Sequence, residues 1–177
     1  APDGRRALSC SSDAIRLWDL EGGANVPSRE AHRSAVSSVS VSADGRWAVS
    51  GSSDGTVRLW DVHRGVLRQT LRGHVDWVWD IALSQDGAMM ASVGEDKMVN
   101  LWQLAGRKIQ SQFKGHTQRI YAVTFSPNGR WLASAGSDRA WVSMPTNSGP
   151  VISFFCRYWT IAWLTASPGW KAASWRM

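Results

Sequence analysis

The chain has few cysteines and no long hydrophobic segment, and both absences narrow the kinds of protein that it can be. Its two cysteines, Cys10 and Cys156, lie far apart without metal-ligand spacing, so neither a disulfide scaffold nor a cysteine metal site is predicted. The longest apolar stretch, "VISFFCRYWTIAWLTA" from Val151, is short for a membrane span and contains Arg157. No stretch has the form of a signal peptide. We expect a cytoplasmic protein without a membrane partner.

Acidic residues are absent after Asp138, whereas basic residues continue to the end of the chain. The first 138 residues hold 16 basic and 14 acidic residues, a net charge of +2, compared with +6 for the whole chain. The excess of positive charge therefore lies mostly in the tail. A phosphate-binding groove needs clustered Lys and Arg, so a nucleic-acid partner is not favoured. Binding of nucleic acid or another anionic partner through basic surface residues is kept as the alternative function.

The sequence also lacks the patterns that most enzymes and helical proteins show. No stretch has the 3.6-residue hydrophobic period of an amphipathic helix. There is no phosphate-binding loop, no metal-spaced cluster of Cys and His, and no paired carboxylates. Tryptophan, in contrast, is abundant, with 12 residues.

A repeat explains many of these tryptophans. The segments "RLWDL", "RLWDV" and "NLWQL" place Trp18, Trp60 and Trp102 at equal intervals of 42 residues. The repeat also aligns three columns of polar residues, at intervals of 41 or 42 residues: His32, His74 and His116; Ser9, Ser50, Ser92 and Ser134; and Asp13, Asp54, Asp96 and Asp138. A period of about 40–45 residues with Gly-His and Trp-Asp signatures is typical of four-stranded propeller blades.

The local patterns within each repeat agree with strands. Segments such as "VSSVSVS", "VWDIALS" and "IYAVTFS" are rich in β-formers, and an Asp-Gly or Asn-Gly turn follows each one. We predict an all-β fold, a propeller fragment with two complete blades at residues 36 to about 72 and 78 to about 114, and partial blades at each end. Such a fragment cannot close a ring. We expect the missing blades to come from a longer parent chain or from self-association.

Over about residues 1–138 the chain resembles the WD-repeat β-propeller family. In that family the histidine, serine, aspartate and tryptophan of each repeat form a buried hydrogen-bonded chain. The resemblance implies a structural network for three sets: His32, Ser50, Asp54 and Trp60; His74, Ser92, Asp96 and Trp102; and His116, Ser134 and Asp138, with Met144 at the tryptophan position. A hydrolase would need one Ser–His–Asp set at an exposed cleft. Because the set recurs together with a tryptophan, we predict no enzyme, no cofactor and no metal.

The resemblance also implies a rigid platform for protein–protein interaction, with a protein partner and no small-molecule substrate. Positions three and five residues after each histidine flank an apolar column, so alternation turns them to the other side. Large aromatics and Arg there would be interface anchors; the candidates are Trp77, Trp79, Arg119 and Tyr121, with Glu95 before the turn aspartate. The alternative is that Trp77 and Trp79 pack between blades. We expect Trp47 and Trp131 to pack inside the fold.

The tail, residues 139–177, loses every repeat signature and contains five of the 12 tryptophans. Two interpretations remain open: a divergent capping segment, or the product of a shifted reading frame. We predict a partial propeller at 1–138 and a capping or poorly ordered tail at 139–177, and we assign no function to Cys156.

Overall fold

Antiparallel strands make up the regular structure of the protein. The computed structural model describes residues 6–10, 15–21, 25–27, 32–106, 108–146 and 152–155, and within them it contains strands and no helix. In chain order the strands are β1 (Arg6–Cys10), β2 (Ile15–Asp19), β3 (Asn25–Pro27), β4 (Val36–Val41), β5 (Trp47–Ser52), β6 (Thr56–Asp61), β7 (Val66–Arg72), β8 (Val78–Leu83), β9 (Met89–Gly94), β10 (Met98–Gln103), β11 (Lys108–Lys114), β12 (Ile120–Phe125), β13 (Trp131–Gly136), β14 (Ala140–Pro145) and β15 (Ile152–Phe155).

The strands form four meander sheets. Sheet 1 contains β1–β3, sheet 2 contains β4–β7, sheet 3 contains β8–β11 and sheet 4 contains β12–β15. The prediction of an all-β propeller fragment with two complete four-stranded units is confirmed by sheets 2 and 3. Sheet 1 has three strands, as expected for the partial unit that precedes them.

Sheet 4 extends further than the sequence predicted. The repeat signatures end at Asp138, but β14 pairs with β13, and β15 pairs with β14. Met144 lies opposite Leu132, the register position that Trp60 and Trp102 hold in sheets 2 and 3. Backbone hydrogen bonds build a ladder without signature side chains, so the strand persists where the motif is lost. The remainder of the predicted tail, including Cys156, lies outside the described residues.

The Asp-Gly and Asn-Gly turns predicted from the sequence connect the first two strands of sheets 2, 3 and 4. Gly45, Gly87 and Gly129 adopt positive φ values of 68°, 68° and 66°. Glycine occupies this left-handed region without the steric penalty of a side chain. The turns therefore place equivalent strands at equivalent points of each repeat.

Sheet 3 packs between sheets 2 and 4. Its first strand, β8, lies against β4 and β5, and β12 in turn lies against β8 and β9. Apolar side chains fill both interfaces; the first includes Val49, Leu59, Val78, Met90 and Trp102, and the second includes Val93, Val99, Ile120, Val123 and Leu132. These buried side chains account for much of the stability, because each contributes roughly 1.5–3 kcal/mol on burial.

One carboxylate ties the first strands of these three sheets together. Asp80 on β8 accepts a 2.8 Å hydrogen bond from the Ser38 hydroxyl on β4. Its other oxygen accepts a 3.0 Å bond from the Val123 N–H on β12. Asp80 therefore joins sheets 2, 3 and 4 through side-chain contacts that the repeat columns did not predict.

One face of sheet 4 is uncovered in the described part of the chain. Trp47 packs against the core between sheets 2 and 3, as expected. The prediction that Trp131 packs inside the fold is wrong, because its side chain is 41% exposed. Ala133 is half-buried at the repeat position where Val49 is fully buried. The difference arises because no described sheet covers this face of sheet 4.

We predict that Asp80→Ala lowers the free energy of unfolding by about 2 kcal/mol. The substitution removes the carboxylate that accepts both hydrogen bonds, and it leaves the Val123 N–H without a partner. Ser38→Ala, which removes one donor, should cost roughly 0.5–1.5 kcal/mol. Urea unfolding followed by far-UV circular dichroism measures both values. Equal losses for the two variants would contradict a bridging role for Asp80.

Candidate functional site

A buried polar network links the strands of sheet 2. The Nδ1 of His32 lies 3.1 Å from the Asp54 carboxylate, and its Nε2 lies 2.7 Å from the Ser50 hydroxyl. The indole N–H of Trp60 donates to the same hydroxyl at 2.9 Å. A carboxylate only accepts, so Nδ1 carries the imidazole proton, and the serine hydroxyl donates to Nε2. Every polar atom of the chain of hydrogen bonds is thus paired.

The same network recurs in sheet 3 and, without its tryptophan, in sheet 4. His74 lies 2.8 Å from both Asp96 and Ser92, and Trp102 donates to Ser92 at 2.8 Å. His116 lies 3.0 Å from Asp138 and 2.9 Å from Ser134. In sheet 1 the Trp18 indole donates to Ser9 at 2.8 Å; Asp13, the aspartate that aligns with Asp54 in the repeat, lies outside the described residues.

The network also fixes the segments that carry the candidate interaction residues. The N–H of the residue after each histidine donates to the same carboxylate, from Arg33 at 2.9 Å, Val75 at 3.3 Å and Thr117 at 2.8 Å. Each segment also accepts a backbone hydrogen bond from the turn that holds the aspartate. We call this edge of the sheets the rim: residues 32–37, 74–79 and 116–121, with the turns at 53–55, 95–97 and 137–139.

A β-bulge lies at the end of each rim segment. The register of the first strand shifts by one residue in sheets 2, 3 and 4, and the skipped residues are Ser37, Trp79 and Tyr121. A bulge leaves its extra residue unpaired and re-aims its side chain. The alternation of the strand predicted the side on which these residues lie, but it did not predict the bulges.

The five candidate rim residues lie together in one group, which we call the aromatic cluster: Trp77, Trp79, Glu95, Arg119 and Tyr121. The ring centroids of Trp77 and Trp79 are 5.7 Å apart with a tilt of 60°. Those of Trp79 and Tyr121 are 5.5 Å apart in an edge-to-face arrangement at 67°. Contacts of this geometry stabilise aromatic pairs beyond the area they bury. The cluster bridges sheets 3 and 4.

Glu95 connects the polar and aromatic parts of the cluster. Its Oε2 accepts a 2.9 Å hydrogen bond from the Trp79 indole N–H and lies 3.6 Å from the Arg119 guanidinium. The Arg119 Cζ lies 5.9 Å from the centroid of the Tyr121 ring. The carboxylate therefore holds one ring and attracts the cation that lies over the next.

The two tryptophans of the cluster differ in exposure. Trp79 is half-buried between sheets 3 and 4. It therefore packs in part between two blades, the role that the sequence offered as the alternative to an interface anchor. Trp77 is 50% exposed and Tyr121 is 38% exposed. Sheet 2 has Ala35 and Ser37 at the equivalent positions, so among the rim segments that the structure describes, only those of sheets 3 and 4 carry aromatic residues there.

Burial and hydrogen bonding set the charge states of the network. Burial lowers the pKa of His32 below its ordinary value of 6.5, although Asp54 opposes the shift. Burial would raise the pKa of Asp54, but hydrogen bonds from Thr56 and Arg33 outweigh it and lower that pKa well below 3.8. Burial also opposes the lowered pKa of Asp96, where the His74 hydrogen bond prevails. The sheet 2 network thus joins a neutral imidazole to a carboxylate.

The described residues lack two features, one of metal sites and one of membrane proteins. No group of three or more His, Cys, Asp or Glu side chains there is arranged to hold a metal ion. Nowhere in that part of the chain does a helix reach the length and hydropathy that a membrane crossing requires.

Comparison with known proteins agrees with this architecture. The family model described as "WD domain, G-beta repeat" matches residues 23–61, 65–103 and 107–141. The solved structure of U3-55K is similar, with 22% identity and a TM-score of 0.78, over 87% of this chain and 49% of that one. It is one of 1405 solved chains that match significantly. At 22% identity this likeness shows the fold alone. No curated protein matches the sequence significantly.

We predict that the protein loses stability as the pH falls below 6.5, the ordinary pKa of His32. Just below pH 6.5 the unfolded chain binds a proton at His32 that the folded chain does not bind. The free energy of unfolding therefore decreases as the pH is lowered. The contribution is fully present above pH 6.5, and the lowered pKa values of Asp54 and Asp96 add a further loss in more acidic solution.

Urea unfolding between pH 8 and pH 5 measures this dependence on the intact chain and on His32→Gln. The variant should show a shallower fall, by at most about 1.4 kcal/mol per pH unit for one proton. Parallel curves for the two proteins would show that His32 does not contribute.

Proposed function

The chain belongs to the WD-repeat β-propeller family, and we propose that it acts as a non-catalytic platform that binds a protein partner through the aromatic cluster. The observation that carries this proposal is the exposed Trp77 and Tyr121 surface on a rim fixed by buried hydrogen bonds. The match to U3-55K spans 49% of that chain. We therefore propose this function for the part of a propeller that the chain represents.

The composition of the cluster supports a protein partner. Trp, Tyr and Arg dominate the energetically important positions of protein interfaces. Ring-to-ring contacts and the Glu95 hydrogen bond restrict Trp79 before binding, so little side-chain freedom remains to be lost there. The rigid frame and the exposed rings together favour recognition of another protein surface.

Burial of the serines supports the absence of catalysis. Ser50 and Ser92 are completely buried, and each hydroxyl is shared between a histidine and a tryptophan. A nucleophilic serine must reach its substrate beside an oxyanion hole. The Ser–His–Asp sets therefore fit a structural role better than a hydrolytic one.

A nucleic-acid partner fits the cluster less well. Successive bases stack on aromatic faces beside a basic groove, whereas these rings are tilted by 60° and 67° to one another. Glu95 also places a carboxylate among them. A steep dependence of binding on salt would favour the nucleic-acid alternative. The cytoplasmic location stays a prediction.

We further propose that another blade covers the open face of sheet 4. Trp131 is 41% exposed there, at the repeat position where Trp47 packs against the next sheet. The missing blades would come from a longer chain or from other copies of this one.

The test of the platform is binding by peptides selected from a random display library against the intact chain. We expect Trp77→Ala to weaken the selected peptides at least tenfold, because truncating a central aromatic anchor commonly costs about 2 kcal/mol or more. Trp131→Ala is the matched control, since it removes a similarly exposed tryptophan from another surface. Circular dichroism verifies that both variants fold. Equal binding by the intact chain and Trp77→Ala would contradict the proposal.

The test of the open face is the mass in solution by light scattering. We expect self-association that increases with concentration, and we expect Trp131→Glu to weaken it by placing a charge on the uncovered apolar face. A monomer at every concentration, with a cooperative thermal transition, would show that this face needs no cover.

A further inference from the structure

We infer that the aromatic cluster recognises a cationic side chain of its partner, and that Arg119 occupies the place of that cation until the partner displaces it. The inference rests on the proposed function, whose binding surface it makes more specific. Its basis is the position of Arg119 itself, over the Tyr121 ring and beside the Glu95 carboxylate.

A ring face next to a carboxylate is a site for a cation. The negative face of an aromatic ring attracts ammonium and guanidinium groups within about 6 Å of its centroid, and Arg119 lies 5.9 Å from that of Tyr121. The Trp79 indole holds Glu95 from one side at 2.9 Å, which orients the carboxylate. The protein therefore already shows which chemical group this place accepts.

Arg119 is a weakly held occupant. Its guanidinium lies 3.6 Å from Glu95, longer than the roughly 2.7–2.9 Å of a charge-assisted hydrogen bond. Its side chain is 46% exposed, and exposed ion pairs contribute little to stability. Within the described residues, its guanidinium has no other ion-pair partner. A cation presented by a partner can therefore replace it at low cost.

The surroundings define the partner more closely. Trp77, whose ring contacts that of Trp79, is 50% exposed, and Val75, two residues before it in the chain, is 93% exposed. Both side chains offer apolar contact. Lys97, two residues beyond Glu95, is exposed and positively charged, so it repels a segment with many positive charges. The cluster therefore fits a peptide segment that has a single Arg or Lys among apolar residues better than it fits a segment with many basic residues.

The experiment uses three peptides of one length, in which a central Arg, Gln or Glu is flanked by leucines. Binding to the intact chain is followed by NMR through the Trp79 indole N–H, which Trp79→Phe identifies by its loss. We expect the Arg peptide to bind more tightly than the Gln peptide, and the Glu peptide to bind least.

The variants separate displacement from ordinary contact. Arg119→Ala should increase the affinity for the Arg peptide on the order of fivefold. The Arg119 guanidinium, which competes for the site through its cation–π contact and its ion pair, is then absent. Arg119→Lys keeps a competing cation and should remain near the intact chain. Glu95→Gln, which keeps an acceptor for Trp79 but removes the charge, should reduce the preference for Arg over Gln at least threefold.

Two results would overturn the inference. The first is weaker binding of the Arg peptide to Arg119→Ala, which would make Arg119 a direct anchor. The second is equal binding of the Arg and Gln peptides. If library-selected peptides still depended on Trp77 in either case, the platform would stand and only the cation specificity would fail. If they did not, the platform itself would be wrong.

Discussion

The hydrogen bond between a buried imidazole and a carboxylate is the contact on which the remaining structure depends. His74 and Asp96 show its role most fully. The Asp96 carboxylate accepts from the His74 ring and from the N–H of Val75, so it fixes the rim segment and the turn at one point. Burying these groups unpaired would cost several kcal/mol. The rim is consequently held by the same hydrogen bonds that satisfy the interior.

This frame is constant between repeats, whereas the surface it presents is not. Sheet 2 carries Ala35 and Ser37 where sheet 3 carries Trp77 and Trp79, yet the bulge and the histidine network are the same in both. The Ser37 hydroxyl hydrogen-bonds to backbone carbonyls of its own and the neighbouring sheet, while the ring of Trp79 contacts other side chains. The side chain at a bulge position can therefore differ between repeats without disturbing the fold.

The sequence predicted those features whose partners recur at fixed spacing. The three network sets and the glycine turns were identified in this way. The five residues of the aromatic cluster were predicted as interaction candidates from their positions in the repeat, but their contacts with one another were not predicted, and their role in binding stays a prediction. The Asp80 bridge was not, because its partners belong to two other sheets and have no counterpart in the repeat. The bulges at Trp79 and Tyr121 lack a glycine or other marker, and strand β14 forms by backbone pairing without the tryptophan signature. The exposure of Trp131 depends on what lies beyond sheet 4, which no local pattern encodes.

Two neighbouring carboxylates show how the fold and the candidate site are coupled. Asp96 faces inward with 4% of its side chain exposed and binds His74, while Glu95 is 31% exposed and binds Trp79 and Arg119. The turn that orients one carboxylate therefore orients the other. The Glu95 N–H also donates to the carbonyl of Trp77 at 2.8 Å, so a backbone hydrogen bond joins this turn to the segment that carries the exposed ring. The hydrogen bond between Glu95 and Trp79 holds the carboxylate close to the rings. A cation can be recognised by a carboxylate and a ring together only when the two lie this close.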